Sequence, residues 1–146
     1  MSLIQKILSS NAGFAPLILR LPVGIIFMAH GSQKLFGWFG GYGLAGTAKF
    51  MASIGLEPGL LMASLSGSAE FFGGLLLFIG LLTRPAAVFA GFTMLVAIFS
   101  VHISHGLFLS NGGFEYALAL CAACASLLVS GSGRCGIDQR FNNHSF

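Results

Sequence analysis

The chain has 146 residues, 55% of them hydrophobic and only 8% charged, whereas a soluble domain carries about 25% charged residues. With a mean hydropathy of +0.89, this composition excludes an ordinary water-soluble domain and points to a chain solvated by lipid. The net charge of +3 comes from few groups with no basic run, which excludes nucleic acid as a partner and leaves membrane orientation as the use of the excess.

Residues 1–13 are a short polar start in which Leu3, Ile4, Ile7 and Leu8 suit an interfacial helix. The first membrane span is expected over residues 14–36, close to the ~20 residues that cross a hydrocarbon core. Pro16 fits its first turn; Pro22 lies inside, where a proline kinks a helix and frees a carbonyl near Ile18. Arg20 interrupts the apolar run and no small-x-small cleavage site follows closely, so the segment reads as a retained anchor rather than a cleaved signal. At ~100° per residue, His30 lies about 80° round the helix from Arg20 and Lys34 about 40°. The three basic groups share one sector, which must face protein or water, because a charge at the bilayer centre costs roughly 2.5–3.5 kcal/mol.

Residues 37–58 form a Gly- and aromatic-rich connection, with Trp38, Phe39 and Tyr42 suited to an interfacial aromatic belt. Thr47 is expected to cap a short interfacial helix that dips Phe50, Met51 and Ile54 into the membrane surface and ends at Pro58. The second span is expected over residues 60–82, with Glu70 in its middle and small residues four apart (Ser64 and Ser68, Ala69 and Gly73) that let helices approach closely. Thr83-Arg84-Pro85 reads as a tight turn. A third span over 85–103 ends with His102, and a loop from Ser104 to Gly113 carries His105. The fourth span is expected over 114–130, with Glu115 favoured in its first turn by the helix dipole. A polar tail, 131–146, ends the chain.

The expected fold is therefore all-α, one domain over residues 1–146: a four-helix transmembrane bundle of up-down topology with a short interfacial helix between spans one and two. Lys6, Arg84, Arg134 and Arg140 fall on one side, against Lys34, Lys49 and Glu57 on the other, so both termini are expected in the cytoplasm.

This topology predicts two polar clusters. Arg20, His30 and Glu70 gather near the midplane; Lys34, His102, His105 and Glu115 gather at the outer end. An ionised Glu70 alone in hydrocarbon is untenable: it protonates or finds a cation, and Arg20 or His30 is the nearest candidate. The competing structural reading is an internal ion network that fixes helix register and does no chemistry. For Glu115 the competing reading is a dipole-stabilised helix start.

Cys121-Ala-Ala-Cys124 is a C-x-x-C motif placed deep in the fourth span, where a reactive thiolate is disfavoured, so Cys121 reads as a small packing residue. Cys135 is more accessible but has nothing to pair with. His102-x-x-His105 with Glu115 could ligate a metal, and His30 with His102 could hold a haem between helices, but neither spacing is specific and no metal site is assigned. No haem-attachment, phosphate-loop or nucleophile-elbow motif is present.

Taken in order, Arg20-Leu21, His30-Gly31-x-x-Lys34, Glu70-x-x-Gly73-Gly74, Gly80-Leu81-Leu82-Thr83-Arg84, Asn111-Gly112 with Glu115, and Gly131-x-Gly133-x-x-x-Ile137-Asp138 resemble the DoxX family of small bacterial membrane proteins. The likeness runs from about residue 15 to 140; the one departure is Cys135-Gly136-Ile137-Asp138, where the family more often ends in a Ser-Leu-Asp type sequence. The resemblance implies a four-helix inner-membrane protein. The family takes its name from a subunit of an archaeal thiosulfate:quinone oxidoreductase, and relatives are often labelled oxidoreductases, some linked to thiol or oxidative-stress defence.

Two readings of function follow. In the first, the protein is a redox-linked membrane subunit that binds a quinone or similar lipophile between helices. Glu70 and His30 are its candidate catalytic residues, and Arg20, Lys34, His102 and Glu115 its candidate ligand-binding residues. Electrons would come from a redox partner protein or an exchangeable donor. In the second, the chain is a non-catalytic scaffold or assembly partner. A small transporter would need a homo-oligomer, since four spans are few for a pathway.

Overall fold

The computed structural model describes residues 3–143, which are helical with no strand among them. Seven helices follow one another: α1 (Leu3–Leu8), α2 (Ala15–Phe36), α3 (Gly43–Ser53), α4 (Gly59–Ile79), α5 (Thr83–Ala97), α6 (Glu115–Ser130) and α7 (Ile137–Asn143). A π turn, Ile98–His102, and a 3-10 turn, Ile103–His105, carry α5 onward. Three segments are long and apolar enough to cross a membrane: Ala15–Phe36, Gly59–Ile79 and Thr83–His105. The fourth expected span, α6, is apolar but only 16 residues long. Helix α3 stands where a short helix was expected between spans one and two.

The long helices pack in sequence, α2 on α4, α4 on α5 and α5 on α6, and α6 returns to α2 to close the bundle. Phe27, Leu77, Ala90 and Leu127 fill its centre, all fully buried. The outward faces carry Leu65, Phe72, Phe89, Phe92, Phe99 and Val129, all exposed. Large apolar side chains covering the outside are what a lipid solvent allows and water does not.

Glycines set the register of α2 against α4. A methyl group built on Gly24 would lie 2.7 Å from the Gly74 carbonyl oxygen, and one on Gly74 would lie 2.6 Å from the Met28 nitrogen. Gly31 is pressed in the same way against the Phe71 backbone. The two backbones touch because these positions lack Cβ atoms.

Helix α2 continues through Pro22. Three local features depart from the expectations. Thr47 is not a cap: it is buried inside α3, and its hydroxyl donates to the Lys34 carbonyl at 3.3 Å. The turn between the second and third spans is Gly80 to Leu82, three residues earlier than expected, with Gly80 at φ +70° and Leu82 at φ +47°. Thr83, Arg84 and Pro85 already belong to the first turn of α5, where a proline lacks no needed N–H. Finally, the tail is not a solvated end: Gly131, Ser132, Gly133, Gly136 and Asp138 are buried. Arg134 N–H donates to the Gly13 carbonyl at 2.7 Å, tying the tail to the start of α2.

Candidate functional site

Glu70 is fully buried, and its cation is Lys34, not Arg20 or His30. Lys34 Nζ lies 2.5 Å from Glu70 Oε1 and donates a second bond to Ser66 Oγ at 3.0 Å. The glycine-set register places the Lys34 Cβ 3.3 Å from a methyl built on Gly67, three residues toward the start of α4 from Glu70. The side chains bridge this offset because helical side chains tilt toward their own N-terminus. On antiparallel helices Lys34 and Glu70 therefore lean toward each other. The depth assignment from sequence counted backbone levels and so put Lys34 in a separate outer group.

The second oxygen, Glu70 Oε2, is buried with no hydrogen-bond partner among the described residues. A carboxylate holds about four acceptor sites, and leaving one oxygen bare in a dry interior is unfavourable. Lys34 keeps 27% of its side-chain surface exposed. One atom that can accept or hold a proton is thus sealed inside, beside a lysine whose side chain is partly exposed.

Arg20 lies about 21 Å from Lys34 along α2 and serves the opposite end of the bundle. Its Nε donates to the Ser132 carbonyl at 3.0 Å, and its Nη1 donates to the carbonyls of Leu77 and Phe78, the last turn of α4. Two further charged residues do similar work there. Asp138 accepts from the N–H groups of Leu82 at 2.6 Å and Thr83 at 3.0 Å, capping the start of α5. Arg84 donates to the Leu128 carbonyl near the end of α6 at 2.7 Å and to the Ser9 carbonyl at 3.0 Å. Helix ends leave such groups without intrahelical partners, and these three side chains satisfy them. Arg20 is therefore not part of a midplane cluster.

His30 also leaves the expected midplane group: it is exposed, its ring 6.1 Å from that of Tyr116 on α6. The expected outer cluster loses Lys34 to Glu70. His102 Nδ1 is 2.7 Å from the Gly112 carbonyl, and His105 Nδ1 is 3.0 Å from the Val101 carbonyl. Glu115 accepts from the Leu109 N–H at 2.7 Å. These three side chains are each engaged with nearby backbone. No set of three or more His, Cys, Asp or Glu close enough to hold a metal occurs among the described residues. Cys124 is buried, Cys121 half-buried and Cys135 exposed, all as free thiols.

The arrangement offers one buried acid–base pair and a set of backbone clasps. The sequence gives no sign that Tyr116 or Ser132 matter, since their roles are contacts from distant elements. Ser66 was findable: it stands one helical turn before Glu70, on the same face.

A DoxX family model matches residues 15–103, which hold both halves of the buried pair. The chain belongs to the DoxX family. It is 36% identical over 122 residues to a Bacillus subtilis (strain 168) protein named "Putative oxidoreductase CatD", covering 84% of this chain and 83% of that one. It is 33% identical over 127 residues to "Inner membrane protein YqjF" of Escherichia coli (strain K12), covering 86% and 91%. "Uncharacterized membrane protein Rv3486" of Mycobacterium tuberculosis is 30% identical over 150 residues, covering 96% and 89%. No solved structure gives a significant match. This DoxX protein is accordingly a membrane protein.

Proposed function

We propose that this DoxX protein is a redox-linked subunit of the bacterial inner membrane that binds a quinone, or a lipophilic carbonyl compound like it, at the Lys34–Glu70 pair. The observation that carries the reading is the bare, buried Glu70 Oε2 next to a partly exposed Lys34. Lys34 donates a hydrogen bond to the carbonyl oxygen of the ligand, and Glu70 holds or releases the proton that accompanies reduction. His30, one turn before Lys34 and exposed beside Tyr116, flanks the approach from α6. On this reading electrons come from a redox partner protein or an exchangeable donor. The oxidoreductase name of the Bacillus relative supports the same class. The exposed Lys6, Arg134 and Arg140 at the end holding both termini favour the cytoplasm for that end.

The test is quinone binding by the purified protein in lipid nanodiscs, with Glu70→Gln and Lys34→Met beside the wild type. Loss of binding in both variants, at unchanged yield and helicity, supports the reading. Wild-type protein that binds no quinone, or binds it as well without Glu70, overturns it.

A second reading, a non-catalytic scaffold, is favoured by a separate observation: Arg20, Arg84 and Asp138 are all committed to capping backbone. On that reading Glu70→Gln and His30→Ala lower abundance and leave no ligand-dependent defect. An oligomer would be its working form, and crosslinking in native membranes would detect one.

A further inference from the structure

The segment between α5 and α6 has features a water-exposed loop does not need. Leu107, Phe108 and Leu109 stand in a row, 44%, 62% and 54% exposed. Their backbone is largely self-satisfied. Phe114 N–H bonds to the Gly106 carbonyl and Glu115 N–H to the Leu107 carbonyl, drawing the two strands of the loop together. Asn111 and Gly113 N–H both reach the Phe108 carbonyl, and Gly112 N–H reaches the Leu109 carbonyl. The Glu115 carboxylate takes the Leu109 N–H, and the His102 ring meets the Gly112 carbonyl. Side chains at both feet of the loop thus complete its hydrogen bonding. A backbone closed on itself in this way tolerates a low-dielectric medium; an open one does not.

Helix lengths say what surrounds it. The 16 residues of α6 rise about 24 Å, short of the ~30 Å hydrocarbon core. The adjoining segment Thr83–His105, 23 residues, is long enough to cross at ~1.5 Å per residue. With α5 and α6 aligned at the end that holds α1 and α7, the top of α6 stops about 6 Å inside the opposite face of the hydrocarbon. The Gly106 and Leu107 carbonyls bond to the Phe114 and Glu115 N–H groups, so the loop starts level with the top of α6 and its apolar row stands at that depth.

We propose that residues 106–114 form a lipid-inserted hairpin in the membrane leaflet opposite the chain termini, with Leu107, Phe108 and Leu109 among the acyl chains and Ser110 and Asn111 at the headgroups. The loop is then the upper part of the fourth span rather than a connection in water. His102 and Glu115, candidate ligand-binding residues in the sequence, hold this hairpin closed at the interface. The exposed Trp38, Phe39 and Tyr42 belong to the same aromatic belt.

The experiment uses the whole chain in phosphatidylcholine nanodiscs, which are open to solution on both faces. The single native tryptophan, Trp38, is replaced by phenylalanine, and a reporter is placed by Phe108→Trp or, separately, Ser110→Trp. The expected result is that lipid brominated on the acyl chain quenches the Phe108→Trp reporter several-fold more than aqueous iodide does, with the order reversed for Ser110→Trp. Equal iodide quenching at the two positions overturns the proposal, because the loop is then in water. Protection of Phe108→Trp from both quenchers overturns it too, because protein then covers the loop. Leu107→Trp gives the same reading if Phe108→Trp does not fold.

Discussion

Lys34 and Glu70 meet at 2.5 Å from helices that run in opposite directions, and each side chain leans toward the other because each leans toward its own N-terminus. The pair is therefore a product of helix direction and of the glycine register between α2 and α4. Neither the burial of Glu70 nor the position of Lys34 is accidental to the other.

The pair should behave as a unit. Lys34→Met leaves a buried carboxylate without its cation and is expected to lower stability by about 3–5 kcal/mol; removing both charges, in Lys34→Met with Glu70→Met, is expected to recover most of the loss. Unfolding of the purified protein by SDS in bicelles measures both. A double variant as unstable as the single one would show that lost pairing is not the cause.

Neighbouring glycines of α4 should differ sharply. An added methyl at Gly74 meets the Met28 nitrogen at 2.6 Å, but at Gly73 it meets nothing nearer than 3.6 Å. Gly74→Ala is expected to destabilise by about 1–3 kcal/mol through overpacking. Gly73→Ala is expected to be neutral or to stabilise by up to about 1 kcal/mol through helix propensity. The same unfolding measurement compares them, and similar values would dissolve the packing argument.

The tail is held by Asp138. Asp138→Ala removes both acceptors from the Leu82 and Thr83 N–H groups, which is expected to cost about 1–3 kcal/mol and to free the tail. Protease should then cut within residues 131–143 faster than in wild type, with Asp138→Asn intermediate because it keeps one acceptor oxygen. An unchanged cutting rate would mean that other contacts hold the tail.

The three thiols should sort by exposure. Only Cys135 is exposed, while Cys124 is 2% exposed. A polar maleimide is expected to label Cys135 alone in the folded protein, and Cys135→Ser should abolish that labelling until SDS unfolds the chain. With a membrane-impermeant maleimide, labelling in inside-out vesicles but not in spheroplasts places the tail in the cytoplasm; the opposite pattern places it outside.

Sequence alone establishes that the chain is a lipid-solvated helical protein, roughly where each helix lies, and that a buried Glu70 must either take up a proton or find a cation. Hydropathy, charge scarcity and helical spacing are local properties, so they survive without tertiary contacts. Only the tertiary structure decided which cation. That choice depends on which glycines let α2 and α4 touch, and on the tilt of two side chains across the gap, and neither can be summed along one strand of sequence. The same holds for Arg20, drawn to the carbonyls at the end of α4 and to Ser132, 112 positions away in the chain. The polar tail turns under the bundle, where Asp138 accepts from the Leu82 and Thr83 N–H groups at the start of α5.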